Sequence, residues 1–173
     1  MTRTLLVSTS MTVLLLAACS TTALPAPRAA LTTATPEAMI ATIRAAAAHD
    51  DSELAVQPLR DPMVEDLRQQ ASRLEATQHY AEATAALDKA LATVPEDPGL
   101  LQERAEAALL LKDYAGAEQF ARRAYAIGAK VGPLCRRHWA TVQQTRLMAS
   151  DAAGAALAKT QIEACKVVGP NRF

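Results

Sequence analysis

Residues Tyr80 to Pro95 read YAEATAALDKALATVP, and thirty-four positions on the chain repeats itself. Tyr80 falls on Tyr114, Ala83 on Ala117 and Ala90 on Ala124; upstream, Leu67 falls on Leu101 and Ala71 on Ala105. Alanine richness alone does not produce such a register, because leucine and tyrosine share it. A fixed period of this size is the mark of stacked helical hairpins, each covering the apolar face its neighbour leaves bare. Proline at Asp61-Pro62, Asp97-Pro98 and Gly132-Pro133 stands where a helix begins. Breaks fall near Gln78-His79, Lys112-Asp113 and Ser150-Asp151. The expectation is an all-α domain of about three antiparallel helix pairs over residues 61–168.

The segment Tyr80–Pro95, with Asp113–Ile127 (DYAGAEQFARRAYAI), resembles the second helix of a tetratricopeptide repeat. The resemblance runs from about Val64 to Lys166 and implies a short α-solenoid. It gives Ala71, Ala105, Ala83, Ala117, Ala90 and Ala124 the small-residue positions where paired helices approach closely. Leu67 and Leu101 belong to the same packing set, and Tyr80 and Tyr114 fill the space at the turn. The third unit departs from the pattern. Its best match, Asp113–Ala117 on Asp151–Ala155, needs an offset of 38, with Trp139 at the small position and Ala152 in place of tyrosine. Four extra residues are about one helical turn, so this hairpin is expected to be longer and differently packed.

In proteins of this family the exposed positions of each first helix line a concave groove. The resemblance therefore implies a partner-binding groove of Arg68, Ser72 and Glu75, then Gln102, Glu106, Leu109 and Leu110, then Arg136, Ala140 and Gln143. An extended peptide or a partner helix is the ligand expected there, and one leucine of the run Leu109-Leu110-Leu111 is expected to stand exposed as an anchor.

The N-terminus carries an address. Met1-Thr2-Arg3 is followed by a mostly apolar stretch to Ala18, too short to span a bilayer and laid out as a secretory signal. Leu16-Ala17-Ala18-Cys19 resembles the lipobox of bacterial lipoproteins. That likeness implies a signal peptide over 1–18, cleavage before Cys19, a thioether-linked diacylglycerol on its sulfur and acylation of the new amino group. Several acyl chains anchor stably. Serine at position 20 points to the outer membrane, facing the periplasm. Residues 19–35, rich in Thr, Ala and Pro, read as a flexible tether. Residues 36–60 read as a helix and a linker, with Thr35 as cap, Pro36 at the first turn and Met39, Ile40, Ile43 and Ala47 on one face through His49. Residues 169–173 are a tail.

Cys135 and Cys165 are each fifteen residues from Ser150, the expected turn, so equal arms of about 22 Å bring them to the same open end. Cys19 is taken by lipid, and the compartment that the lipobox implies is oxidising, so a disulfide is expected. It would support a last hairpin that only Val167–Phe173 follows, too short for a covering helix.

No catalytic apparatus is legible. His49, His79 and His138 lack metal-ligand spacing, and no phosphate loop, nucleophile elbow or H-E-x-x-H occurs. Glu103 and Glu106 read as a solvated helix face. No metal or cofactor is expected, and no enzyme. Eighteen basic residues balance eighteen acidic ones, which gives a nucleic-acid binder no support. The balance is uneven along the chain: a net of −8 from Asp50 to Glu106 and +6 from Ala107 to Phe173. Together these readings describe a lipid-anchored adaptor holding another envelope protein or peptide. The alternatives are a structural or peptidoglycan-binding lipoprotein using its basic end, or an accessory lipoprotein of a secretion, pilus or outer-membrane assembly machine. Neither oligomeric state nor partner identity is encoded in a readable way.

Overall fold

The computed structural model describes residues 29–48 and 61–166. The signal peptide, Cys19, the start of the tether, His49, the linker that follows it and residues 167–173 lie outside these residues. Seven helices make up the described chain: α1 (Pro36–Ala46), α2 (Pro62–Ala76), α3 (Tyr80–Thr93), α4 (Pro98–Leu110), α5 (Tyr114–Ile127), α6 (Pro133–Met148) and α7 (Ala152–Ala164). There is no strand among the described residues. Helices α2 and α3, α4 and α5, and α6 and α7 form three antiparallel hairpins. Each leans on the next through α3 against α4 and α5 against α6.

The prolines open helices because their missing N–H is one that a first turn leaves unbonded anyway. Asp61, Asp97, Asp113 and Asp151 cap the following helices by accepting main-chain N–H groups. Asp113 and Asp151 bond the N–H of Gly116 and Gly154 at 2.9 and 2.8 Å. A Cβ on either glycine would meet the capping carboxylate within 2.2 Å, so the carboxylate would have to shift to accommodate one.

The three hairpin turns share one geometry. Gln78, Lys112 and Ser150 adopt φ near +60°, and the next residue's N–H returns to a carbonyl five positions back: His79 to Leu74, Asp113 to Ala108, Asp151 to Arg146. This is a Schellman ending, here built without glycine. The third hairpin is longer, as its offset implied: α6 has 16 residues against 13 in α4. Trp139 turns toward the preceding hairpin and meets Tyr125 edge to face at 5.0 Å.

The packing positions of the repeat lie where helices cross. Ala71, Ala83, Ala90, Leu101, Ala105, Ala117 and Ala124 are buried, while Leu67, Tyr80 and Tyr114 are partly buried against the apolar clusters. One cluster joins the first hairpin to α4 through Val64, Leu87, Leu100 and Ala107, and another joins the second hairpin to the third through Ala105, Ala121, Val142 and Ala158. At the open end of the third hairpin Cys135 and Cys165 form a disulfide, with Cα atoms 5.7 Å apart. The Gly132 N–H donates to the Cys165 carbonyl beside it at 2.7 Å.

Candidate functional site

Helices α2, α4 and α6, the first of each hairpin, form the face that the family resemblance makes concave, and α1 is seated on it against α4 and α6. α1 runs antiparallel to α6. Its C-terminal carbonyls at Ala46 and Ala48 accept from Arg136 at the start of α6, and the strand of chain before it bonds the far end of α6, Leu31 N–H to Leu147 O at 2.8 Å. Ser150 also donates to the Ala29 carbonyl. The last part of the expected tether, residues 29–35, is therefore fastened to the third hairpin.

The apolar face of α1 makes the contact. Met39, Ile40 and Ile43 are buried, and Ile40 and Ile43 pack with Ala108, Leu109, Leu110, Ala117 and Ala140. α1 ends at Ala46, so its buried face stops short of His49. Beside this strip lies a charged network. Glu106 is fully buried, yet its carboxylate accepts from Arg44 Nε at 2.9 Å, from both Nε and Nη2 of Arg137, and from the Gln102 amide at 2.9 Å. Burial pushes its pKa up. The hydrogen bonds and charge of Arg137, the charge of Arg44 and the bond from Gln102 outweigh that and hold it below the usual carboxylate range. Arg44 also reaches Glu75 on α2 at 3.1 Å. Gln102 donates onward to Thr141 at 2.8 Å, and its oxygen faces His138 Nδ1 at 2.8 Å.

The concave face differs in kind from the open groove expected above. Gln102, Glu106, Leu109, Leu110, Arg136 and Ala140 are buried, and Gln143 is half-buried. The physical reason is α1 for Glu106, Leu109, Leu110, Arg136 and Ala140; Gln102 is sealed between α4 and α6. Of the leucine run, only Leu111 is exposed. Glu106 is no solvated face, and Glu103 is tied to Arg68, which also pairs with Glu65. Arg68, Ser72 and Glu75 remain on the part of the face that α1 leaves open. They line a cleft of about 340 Å³ with Arg44, Glu65, Gln69, Glu103 and Arg137. An adjoining cleft of about 470 Å³ shares Arg44, Ser72 and Glu75 and adds Glu37, Ile40, Tyr80 and Leu110. A third hollow, about 710 Å³, lies between the start of α5 and the end of α6, edged by Tyr114, Glu118, Arg122, Arg146 and Met148.

The basic residues of the C-terminal half are largely engaged within the chain. Arg146 and Arg122 pair with Glu118, Arg123 donates to the Pro95 carbonyl, Lys130 to those of Tyr125 and Ala126, and Arg137 to Glu106. No cluster of three metal-ligating side chains and no helix long and apolar enough to cross a membrane occurs among the described residues.

No family profile matches this chain, and no curated protein matches it in sequence. Among solved structures it is similar to the globular C-terminal domain of LpoP from P. aeruginosa. The two are 30% identical with a TM-score of 0.58, and the match covers 61% of this chain and 99% of that one. The chain belongs to the family of that LpoP domain. Because nearly the whole LpoP domain is covered, the likeness is between complete domains rather than between single hairpins.

Of the residues expected in the first part of the groove, Ser72 is exposed, while Arg68 and Glu75 are half-buried and ion-paired with Glu103 and Arg44. The sequence reading missed Arg44 and the His138–Gln102–Glu106 chain. The available signal was complementary: an amphipathic helix with Ile40, Ile43 and Arg44 on one side, and an unexplained Leu109-Leu110 beside Glu106 on the other.

Proposed function

We propose that this chain is a non-catalytic, lipid-anchored protein of the bacterial envelope that holds another envelope protein on the concave face of its tetratricopeptide-like domain. The observation that carries the reading is the seating of α1, since a face that accepts an amphipathic helix from its own chain has the shape and chemistry to accept a segment of another. The likeness to the LpoP domain supports a place in the envelope and leads us to single out a peptidoglycan synthase as the partner. Cys19 is the lipid attachment site in this reading, and the domain faces the periplasm from the outer membrane.

The state of the buried polar groups supports a structural rather than catalytic use. Glu106, Gln102, Thr141 and His138 are linked by hydrogen bonds to one another, and His138 is buried, bordering a void of about 10 Å³. The engagement of the C-terminal arginines within the fold weakens the reading in which a basic end grips an anionic polymer.

The test is photo-crosslinking in intact cells from position 72, which is exposed and borders both clefts. The expected product is an adduct with a peptidoglycan synthase, lost when Gln69→Trp narrows the cleft. Absence of any protein adduct, at normal abundance of the lipidated chain, overturns the proposal. Co-sedimentation with purified cell wall that is abolished by moderate salt would favour the polymer-binding alternative.

A further inference from the structure

α1 differs from the other six helices in having no hairpin partner among the described residues. It is 11 residues long, and an isolated helix of that length is marginal in water. Its hold on the domain consists of three buried apolar side chains, the ion pairs of Arg44, a hydrogen bond from the Tyr80 hydroxyl to Glu37, the Arg136 bonds to the Ala46 and Ala48 carbonyls, and the Leu31 and Ala29 bonds of the chain before it. Ala38, Ala41, Thr42 and Ala45 are exposed and contribute little.

Departure of α1 would leave a coherent surface. Leu109, Leu110, Ala108 and Ala140 would form an apolar strip with the carboxylates of Glu106 and Glu75 at its side. Glu106 would not be stranded, because Arg137 and Gln102 hold it from within the hairpin stack independently of α1. Twelve residues separate Ala48 from Asp61, a contour length of about 40 Å, so displacement of α1 requires release of the Leu31 and Ala29 bonds to the third hairpin but no unwinding of α2. The cleft at Ser72 and Glu75 already lies open beside α1, giving an incoming segment a foothold along its flank.

We infer that α1 is an exchangeable occupant of the concave face, and that the partner it yields to is a helix of the same chemistry: two branched apolar residues three apart followed at once by arginine, as in Ile40-x-x-Ile43-Arg44. The apolar pair fits the Leu109–Leu110–Ala140 strip, and the guanidinium meets Glu106 and Glu75. The inference rests on the proposed use of this face and adds to it the partner's chemistry and a built-in competitor. The competitor lowers apparent affinity by the fraction of time the face is closed.

Two measurements test it on the full mature chain carrying Cys19→Ser. In native-state hydrogen exchange the α1 amides are expected to exchange at least tenfold faster than those of α4 and α5; equal protection overturns the inference. In the second, a fluorescent synthetic peptide of residues 35–48 is titrated onto the Ile43→Asp chain. Saturable binding is expected, at least tenfold tighter than to the wild-type chain and at least tenfold weaker when the peptide carries Arg44→Glu. Absence of saturable binding by an Ile43→Asp chain of undiminished helicity overturns it. If that variant does not fold, the exchange measurement decides alone. Fully protected α1 together with crosslinks from position 72 would sink the exchange and leave the partner reading standing. Fast-exchanging α1 with no crosslink would do the reverse.

Discussion

Gln102 determines the protonation of its neighbour. Its amide nitrogen is committed to Glu106 and Thr141, so its oxygen faces His138, and Nδ1 of that ring must carry the proton. Nε2 is then bare, buried and without a partner. Burial, with Arg137 and Lys130 adding to it, drives the His138 pKa down to about 3. A histidine that folds neutral stabilises least in acid. The unfolded chain takes up the proton near pH 6.5 and the folded chain only near 3, so stability is full above pH 6.5 and falls through the window between. At pH 5 the loss should be about 2 kcal/mol, read as a lower urea midpoint than at pH 7.5. His138→Asn keeps an N–H for Gln102 and should remove most of that slope; a slope unchanged in the variant would show that His138 is not its source. Glu106, held below the usual carboxylate range, gives stability that is present above about 4.5 and lost only in stronger acid. Glu75 works against the trend, since burial raises its pKa and lets the folded state bind a proton first.

The helices and their breaks were legible because local chemistry writes them. Proline and a capping oxygen start α1, α2 and α4, and Asp113 and Asp151 both end one helix and cap the next. What local chemistry does not announce is the cost of each turn. Lys112 holds φ +60°, a conformation that costs a side-chain-bearing residue about 1 kcal/mol or more and glycine almost nothing. Lys112→Gly should therefore stabilise the domain by about 0.5–1 kcal/mol, after the greater freedom of glycine in the unfolded chain is subtracted. A melting temperature that falls instead would mean that the lysine side chain stabilises the turn. At the opposite end of the hairpins, the Cys135–Cys165 bridge closes a separation of 30 residues. In the chain-entropy model that contributes about 3 to 4 kcal/mol, so Cys135→Ser should lower the urea midpoint by that equivalent under oxidising conditions and by nothing once both proteins are reduced. An unchanged midpoint in the oxidised protein would remove the bridge from the account of how the last hairpin is held.

Across the whole molecule, the concave face was read in its first third and not in the rest, because the residues that close it are distant in the chain. Arg44 and Glu106 are 62 residues apart, and no periodic pattern links a lone amphipathic helix to the face it will cover. On the proposed lipid anchor at Cys19, the same closure fixes how the domain hangs from the membrane. Chain arriving from position 19 is caught at Ala29 and Leu31 by Ser150 and Leu147, at the turn end of the third hairpin. The nine residues between Cys19 and Ala29 let the two ends stand at most about 35 Å apart, while helices of 13 to 16 residues separate the turn end from the open end by about 20 Å. The turn end should therefore lie nearer the bilayer on average, and the open end, with exposed Met63, Ile127 and Val131, should point into the periplasm. Lipidated protein on liposomes containing a headgroup nitroxide tests this through fluorophores attached at position 112 or at position 129. Greater quenching at 112 is expected. Greater quenching at 129 would mean that the Leu31–Leu147 fastening is undone on the membrane, and with it the orientation that presents the concave face and the open end to a partner.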